Sequence, residues 1–187
     1  FIWTSEKDGF NHIYHYDKVG QLKKQITKGN WEVTAYYGFD ENAGTVYYQS
    51  VENGSINRDV YAIKIDGKSK TRLSLKTGTN SATFSPNFQF FINTFSSATT
   101  APNYTLNDSK SGALVKAIVS NEAVENKLAK YDVAPKEFFV LTTENGQQLN
   151  AWMIKPNDFD AKKKYPVFMF QYSGPGSQQV ANQWNST

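Results

Sequence analysis

At 187 residues the chain can hold one ordinary domain or parts of two. Aromatics make up 15% of it, with 11 Tyr and 13 Phe, and Gly and Asn recur between short apolar runs, a balance that suits pleated, half-buried β surfaces. The absence of Cys excludes disulfides, thiolate chemistry and Cys-ligated zinc, the net charge of +3 has both signs interspersed, and no apolar run approaches the roughly 18 residues of a membrane span.

The opening Phe1-Ile2-Trp3-Thr4 reads as the middle of a strand. A natural N-terminus is therefore expected further upstream, and the lack of a signal sequence says nothing about export. A repeat then runs to Val119. His12 to Asp17 is followed by a turn at Val19-Gly20 and a strand from Gln21 to Thr27. Asp59 to Lys64 precedes Asp66-Gly67 and a strand from Lys70 to Leu75; Asn103 to Asp108 precedes Ser111-Gly112 and a strand from Ala113 to Val119. Tyr14, Tyr61 and Tyr104 hold equivalent places, 47 and then 43 residues apart. Between these hairpins lie Val33 to Phe39 with Thr45 to Ser50, and Ala82 to Ser85 with Gln89 to Phe95. Four strands in each roughly 40 to 50 residues is the pattern of a β-propeller. Closure takes about four to eight blades, so two and a half repeats require further sequence or self-association to cover their open edges.

After Val119 the pattern changes. Asn121 to Tyr131 has a capping residue, early acids and late lysines, with Val124, Leu128 and Tyr131 on one face, which predicts a short linker helix. Beyond Pro135, strands Glu137 to Thr143 and Leu149 to Lys155 flank the hairpin turn Asn145-Gly146. Tyr165 to Tyr172 is apolar on both faces, as a strand inside an α/β sheet would be.

Few residues in these elements suggest chemistry. His12 and His15 are three apart on a strand and so fall on opposite faces, which argues against a shared metal and for ordinary strand positions. Gly67-Lys68-Ser69 imitates the end of a phosphate loop, but no helix follows and it reads as a hairpin turn. Asp8-Gly9, Asn53-Gly54 and Asp66-Gly67 are turn formers without the spaced carboxylates that calcium needs. Trp31 and Trp152 sit in strand patterns as packing residues, whereas Trp184 has no clear place. Lys162-Lys163-Lys164 is a solvated loop face rather than a nucleic-acid patch.

Tyr165-Pro166-Val167-Phe168-Met169-Phe170-Gln171-Tyr172-Ser173-Gly174-Pro175-Gly176-Ser177-Gln178-Gln179 resembles the start of the α/β-hydrolase domain in dipeptidyl peptidase IV-like serine peptidases, of the prolyl oligopeptidase group and bacterial type. Ser5 to Tyr14 and Ile26 to Val33 are similar to closing propeller blades of that family. The resemblance implies a mostly β chain: an incomplete β-propeller of the last two to three blades (1–119), a linker helix (120–135) and the truncated N-terminal strands of an α/β-hydrolase domain (136–187).

In that family the tyrosine matching Tyr172 donates its phenol O–H to the oxyanion of the tetrahedral intermediate. A phenol is a neutral donor at neutral pH, and the loop after the third strand is where α/β-hydrolases commonly place one oxyanion donor. Gly174 and Gly176 permit loop geometry closed to other residues, and Pro175 stiffens it. On local sequence alone, Tyr172 reads first as a structural tyrosine capping a buried strand, and it is the family resemblance that reverses that order. No Gly-x-Ser-x-Gly elbow is present and no histidine follows His15, so the nucleophile, acid and base are expected beyond Thr187. The family's paired glutamates for the substrate amine are expected before Phe1. The chain alone is expected to be inactive, with no cofactor.

The parent protein is expected to release Xaa-Pro or Xaa-Ala dipeptides from peptide substrates. It would be periplasmic, cell-surface or secreted, homo-oligomeric, and without nucleic-acid partners or a membrane span. The alternatives are a non-catalytic propeller-hydrolase binding protein and a different prolyl oligopeptidase-group peptidase.

Overall fold

The computed structural model describes residues 1–172, 174 and 176–184. Up to Val119 these form three antiparallel meanders. The first contains β1 (Ile2–Ser5), β2 (His12–Tyr16) and β3 (Leu22–Gln25); the second contains β4 (Val33–Asp40), β5 (Thr45–Ser50), β6 (Asp59–Lys64) and β7 (Thr71–Arg72). The third contains β8 (Thr79–Phe84), β9 (Phe90–Ser97), β10 (Thr100–Asp108) and β11 (Leu114–Val119). Tyr14, Tyr61 and Tyr104 fall on β2, β6 and β10, the next-to-last strand of each sheet. The repeat legible in the sequence is thus the sheet repeat of a propeller.

Successive strand residues point to opposite faces, and the middle sheet uses both. Val46 and Tyr48 on β5, with Tyr61 and Ile63 on β6, pack against Ile13 and Ile26 of the first sheet. Tyr47, Val60 and Ala62 point the other way and meet Phe91 of the third. Double-sided cover explains why β5 and β6 read as nearly unbroken apolar runs. Each fully buried Val, Ile or Phe among them contributes about 1.5–3 kcal/mol by leaving water. Aromatic pairs fill both layers: Tyr48 stacks on Tyr61 at 5.5 Å, and Tyr47 on Phe88 at 5.2 Å.

The sheets also share polar contacts. The Arg58 N–H donates to Gly78 O, and the Asn80 N–H to Arg58 O, each at 2.9 Å, forming a parallel bridge from the second sheet to the third. Beside it the fully buried Asp59 carboxylate accepts from Arg72 Nη2 and Ser74 Oγ, both at 2.8 Å, and from Asn80 Nδ2 at 3.4 Å.

Two strand ends follow one rule. The Thr27 hydroxyl accepts the Ile13 N–H at 2.9 Å, and the Ser74 hydroxyl accepts the equivalent Val60 N–H at 3.1 Å. A side-chain oxygen replaces the ladder carbonyl at each place. β7 is accordingly confined to Thr71–Arg72, shorter than the Lys70 to Leu75 expected.

The turns between the last two strands of each sheet carry Asp17, Asp66 and Asp108. Their Oδ1 atoms accept N–H groups two residues on, from Val19, Lys68 and Lys110. The second and third of these turns reach the preceding sheet, a Cβ on Gly67 falling 3.2 Å from Ile26 O. A Cβ on Gly112 (φ 73°) would lie 2.3 Å from Leu73 O.

Three expectations are corrected beyond Val119. The helix is only α1 (Glu122–Leu128), and it has no buried residue. Asn121 does not cap it with its side chain: it adopts φ 55°, and its Nδ2 donates to Pro102 O instead. β12 (Lys136–Thr142) and β13 (Gln148–Ile154) form the expected hairpin as a separate two-stranded sheet. The strand expected from Tyr165 to Tyr172 does not form, and Phe168 is 94% exposed. A strand apolar on both faces needs paired neighbours and a cover on each side, and no strand among the described residues pairs with it.

Ala at Gly112 meets both the left-handed backbone penalty and the Leu73 carbonyl. Ala at Gly146 (φ 82°), which has nothing within 4 Å, meets only the first. Urea unfolding is expected to show a loss of about 1 kcal/mol for Gly146→Ala and at least about 2 kcal/mol for Gly112→Ala.

Backbone donation from Gln21 lowers the Asp17 pKa, and the Ser111 hydroxyl and N–H lower that of Asp108. A depressed folded pKa stabilises above the ordinary carboxylate value and ceases to as pH falls through the folded one. Stability measured against pH is therefore expected to drop below about pH 4, with a smaller acid-dependent loss in Asp108→Asn.

Candidate functional site

The segment leading to Tyr172 is shaped by one aromatic knot. After β13, the Phe159 N–H donates to Pro156 O at 3.0 Å, and Tyr165 stacks on Phe159 at 5.2 Å while its hydroxyl accepts the Asp160 N–H at 2.8 Å. From there Val167, Phe168, Met169 and Phe170 lie outside any strand and are solvent-exposed. Lys162, Lys163 and Lys164 lie exposed on the loop before them.

Tyr172 is 61% exposed. Its hydroxyl lies over Gly174, where an added Cβ would fall 2.8 Å from the hydroxyl oxygen. Gly174 is therefore needed for space beneath the ring, whereas Gly176, at φ 69°, is needed for backbone conformation. Pro175, read as stiffening this loop, lies outside the described residues. The Ser177 N–H closes the turn on Gly174 O at 3.1 Å.

The chain then returns to the propeller sheets. Gln178 Oε1 accepts from Arg58 Nη2 at 2.6 Å, and Gln178 Nε2 donates to Ser55 O at 2.8 Å. Arg58 Nη1 donates to Ser55 O at 2.9 Å and Asn57 O at 2.8 Å, which fixes the guanidinium plane. Burial pulls the Arg58 pKa down while the Glu32 charge opposes that shift, and the guanidinium stays protonated. Four residues on, the Asn182 N–H donates to Ile56 O at 2.8 Å, and its Oδ1 accepts the Ala98 N–H at 3.0 Å. The Trp184 N–H reaches Ser96 Oγ at 3.2 Å, which gives that tryptophan a place between sheet and tail. Nothing in the sequence links residues 120 positions apart, and none of these contacts was expected from it.

The other singled-out residues are structural. His12 is fully buried, with Nδ1 at 3.1 Å from Thr27 Oγ1 and Nε2 at 3.0 Å from Gly29 O. Both ring nitrogens are committed to holding a strand end, the place Asp59 takes in the next sheet. His15 is half-buried on the opposite face. Trp31 meets His12 edge-on at 4.9 Å and stacks on Tyr48 at 6.5 Å, while Trp152 lies under Lys136 Nζ at 4.5 Å. Lys68 and Ser69 lie in a hairpin turn closed by the Lys64 N–H on Lys68 O at 3.0 Å. No cluster of three His, Cys, Asp or Glu able to hold a metal occurs among the described residues, nor a helix long and apolar enough to cross a membrane.

The chain is 33% identical to dipeptidyl peptidase 4 of Trichophyton rubrum and 32% to that of Arthroderma otae, in each case over its whole length and 24% of the relative's. A crystal structure of Porphyromonas gingivalis dipeptidyl peptidase 4 matches 99% of this chain with a TM-score of 0.94 and 48% identity, covering 26% of that protein. A putative dipeptidyl aminopeptidase IV from Bacteroides ovatus matches 98% of it with a TM-score of 0.85 and 26% identity, covering 28% of that protein. The chain thus spans about a quarter of the length of the relatives it matches. Residues 1–102, more than half of the chain, match the model of the dipeptidyl peptidase IV (DPP IV) N-terminal region, and the chain belongs to that family.

Proposed function

We propose that this chain is part of a bacterial-type serine dipeptidyl peptidase. It would contribute the closing propeller blades (1–119), a linker (120–135) and the opening strands of the α/β-hydrolase domain (136–187). The observation that carries this reading is the Porphyromonas gingivalis likeness, which extends past the propeller sheets over 99% of the chain and so takes in the Tyr172 segment. In the complete enzyme a serine outside this chain attacks the scissile carbonyl, and the electron pair of the C=O bond moves onto oxygen. Tyr172 donates its O–H to that oxyanion, and a companion backbone N–H follows the serine. The exposure of Tyr172 supports this role.

The substrates are peptides with Pro or Ala second, released as N-terminal dipeptides, and no cofactor takes part. The 187 residues alone lack the serine, acid and histidine of the triad and are inactive. The parent belongs outside the cytoplasm, in the periplasm, at the cell surface or secreted. The parent associates with second copies of itself, and the isolated chain self-associates through its open blade edges.

One preorganised oxyanion donor is worth about 3–4 kcal/mol. Tyr172→Phe in the full-length protein is therefore expected to lower kcat on Ala-Pro or Gly-Pro chromogenic amides by roughly 10²–10³-fold, with little change in folding. An unchanged kcat contradicts the assignment of Tyr172. Failure of the unaltered full-length protein to cleave these amides favours the binding-protein alternative.

A further inference from the structure

We propose that Arg58, in the loop just before β6, is a positioning residue for the Tyr172 phenol and acts through Gln178. The inference rests on Tyr172 being the oxyanion donor. Arg58 has its Nη1 fixed by the carbonyls of Ser55 and Asn57, so its free edge points in one direction, and Gln178 Oε1 occupies that edge at 2.6 Å. The Gln178 amide is held from both ends, because its Nε2 donates to Ser55 O and Val180 O at 2.8 Å.

From Gln178 the path to the phenol is short. Ser177 is the adjacent residue, its N–H donates to Gly174 O, and Gly174 carries the Tyr172 hydroxyl above its Cα. A second anchor behind Gln178 prevents the strap from swinging: Asn182 bonds to Ile56 O, to Asn57 Oδ1 at 3.1 Å and to the Thr79 hydroxyl at 3.0 Å. The same loop reaches the hairpin before the site, since Asn150 Nδ2 donates to Ser55 Oγ at 2.8 Å. The Ser55–Arg58 loop therefore holds the chain both before and after Tyr172.

A phenol on an exposed segment has no packing of its own to fix it, and Tyr172 is 61% exposed. An oxyanion donor displaced by about 1 Å can cost up to about a hundredfold in rate. Rigidity must then come from outside the segment, and the Arg58–Gln178 clasp supplies it. Binding of the substrate's remote parts does not depend on the clasp, so its loss appears in kcat.

The test uses the full-length protein and an Ala-Pro chromogenic amide. Gln178 is exposed, so Gln178→Ala removes the contact without opening a core. It is expected to lower kcat by about tenfold and to leave KM within about twofold. Arg58→Ala is expected to do the same, and Arg58→Lys, which keeps the charge but loses the fork, to fall between. In a Tyr172→Phe background, Gln178→Ala is expected to cost nothing further, because the donor it positions is gone.

Wild-type kcat in Gln178→Ala, with kcat lost in Tyr172→Phe, overturns the inference alone. An equal loss from Gln178→Ala with and without the Tyr172 hydroxyl also overturns it, and identifies the clasp as merely structural. Wild-type kcat in Tyr172→Phe overturns the oxyanion reading and this inference with it.

Discussion

Burial of one four-stranded sheet on both faces is the constraint from which the rest follows. β5 and β6 place Val46, Tyr48, Tyr61 and Ile63 toward one neighbour and Tyr47, Val60 and Ala62 toward the other. Neither set is satisfied by the sheet itself, since a sheet face stays wet until another layer covers it. Stability therefore lies between sheets more than within them. The contacts that tune it are between sheets as well: the Arg58 bridge, the Asp59 cluster and the Gly112 turn seated on Leu73.

The same logic accounts for what is exposed. The edge strands β1 and β11 carry apolar residues such as Trp3, Leu114 and Val115 at 52–63% exposure, whereas the apolar residues of β5 and β6 are covered. The β12–β13 hairpin and the exposed run to Tyr172 are not part of either buried cluster. Polar contacts from Asn150 and Gln178 tie the chain before and after Tyr172 to the Ser55–Arg58 loop.

Legibility in the sequence followed the range of the interactions. The repeat was readable because each hairpin carries its own local code: alternating apolar residues, an aspartate that turns the chain, and a glycine in the left-handed region. Tyr14, Tyr61 and Tyr104 keep their register for that reason. Where a distant partner decides, local pattern failed. β7 stops early because the Ser74 hydroxyl takes the Val60 N–H. Asn121 spends its side chain on Pro102 rather than on the helix it precedes. The apolar run before Tyr172 has the composition of a buried strand, but no strand among the described residues pairs with it. At the site, Tyr172 drew attention through its motif, while the reason for Gly174 and the role of Gln178 required coordinates.

Hydrogen exchange of the 187-residue chain, resolved by peptide, tests the central claim most directly. Double-sided burial predicts the slowest amides in Thr45–Ser50 and Asp59–Lys64, intermediate protection in the first and third sheets, and the fastest exchange from Tyr165 to Tyr172. Protection spread evenly over the three sheets, or greatest in the β12–β13 hairpin, would contradict it.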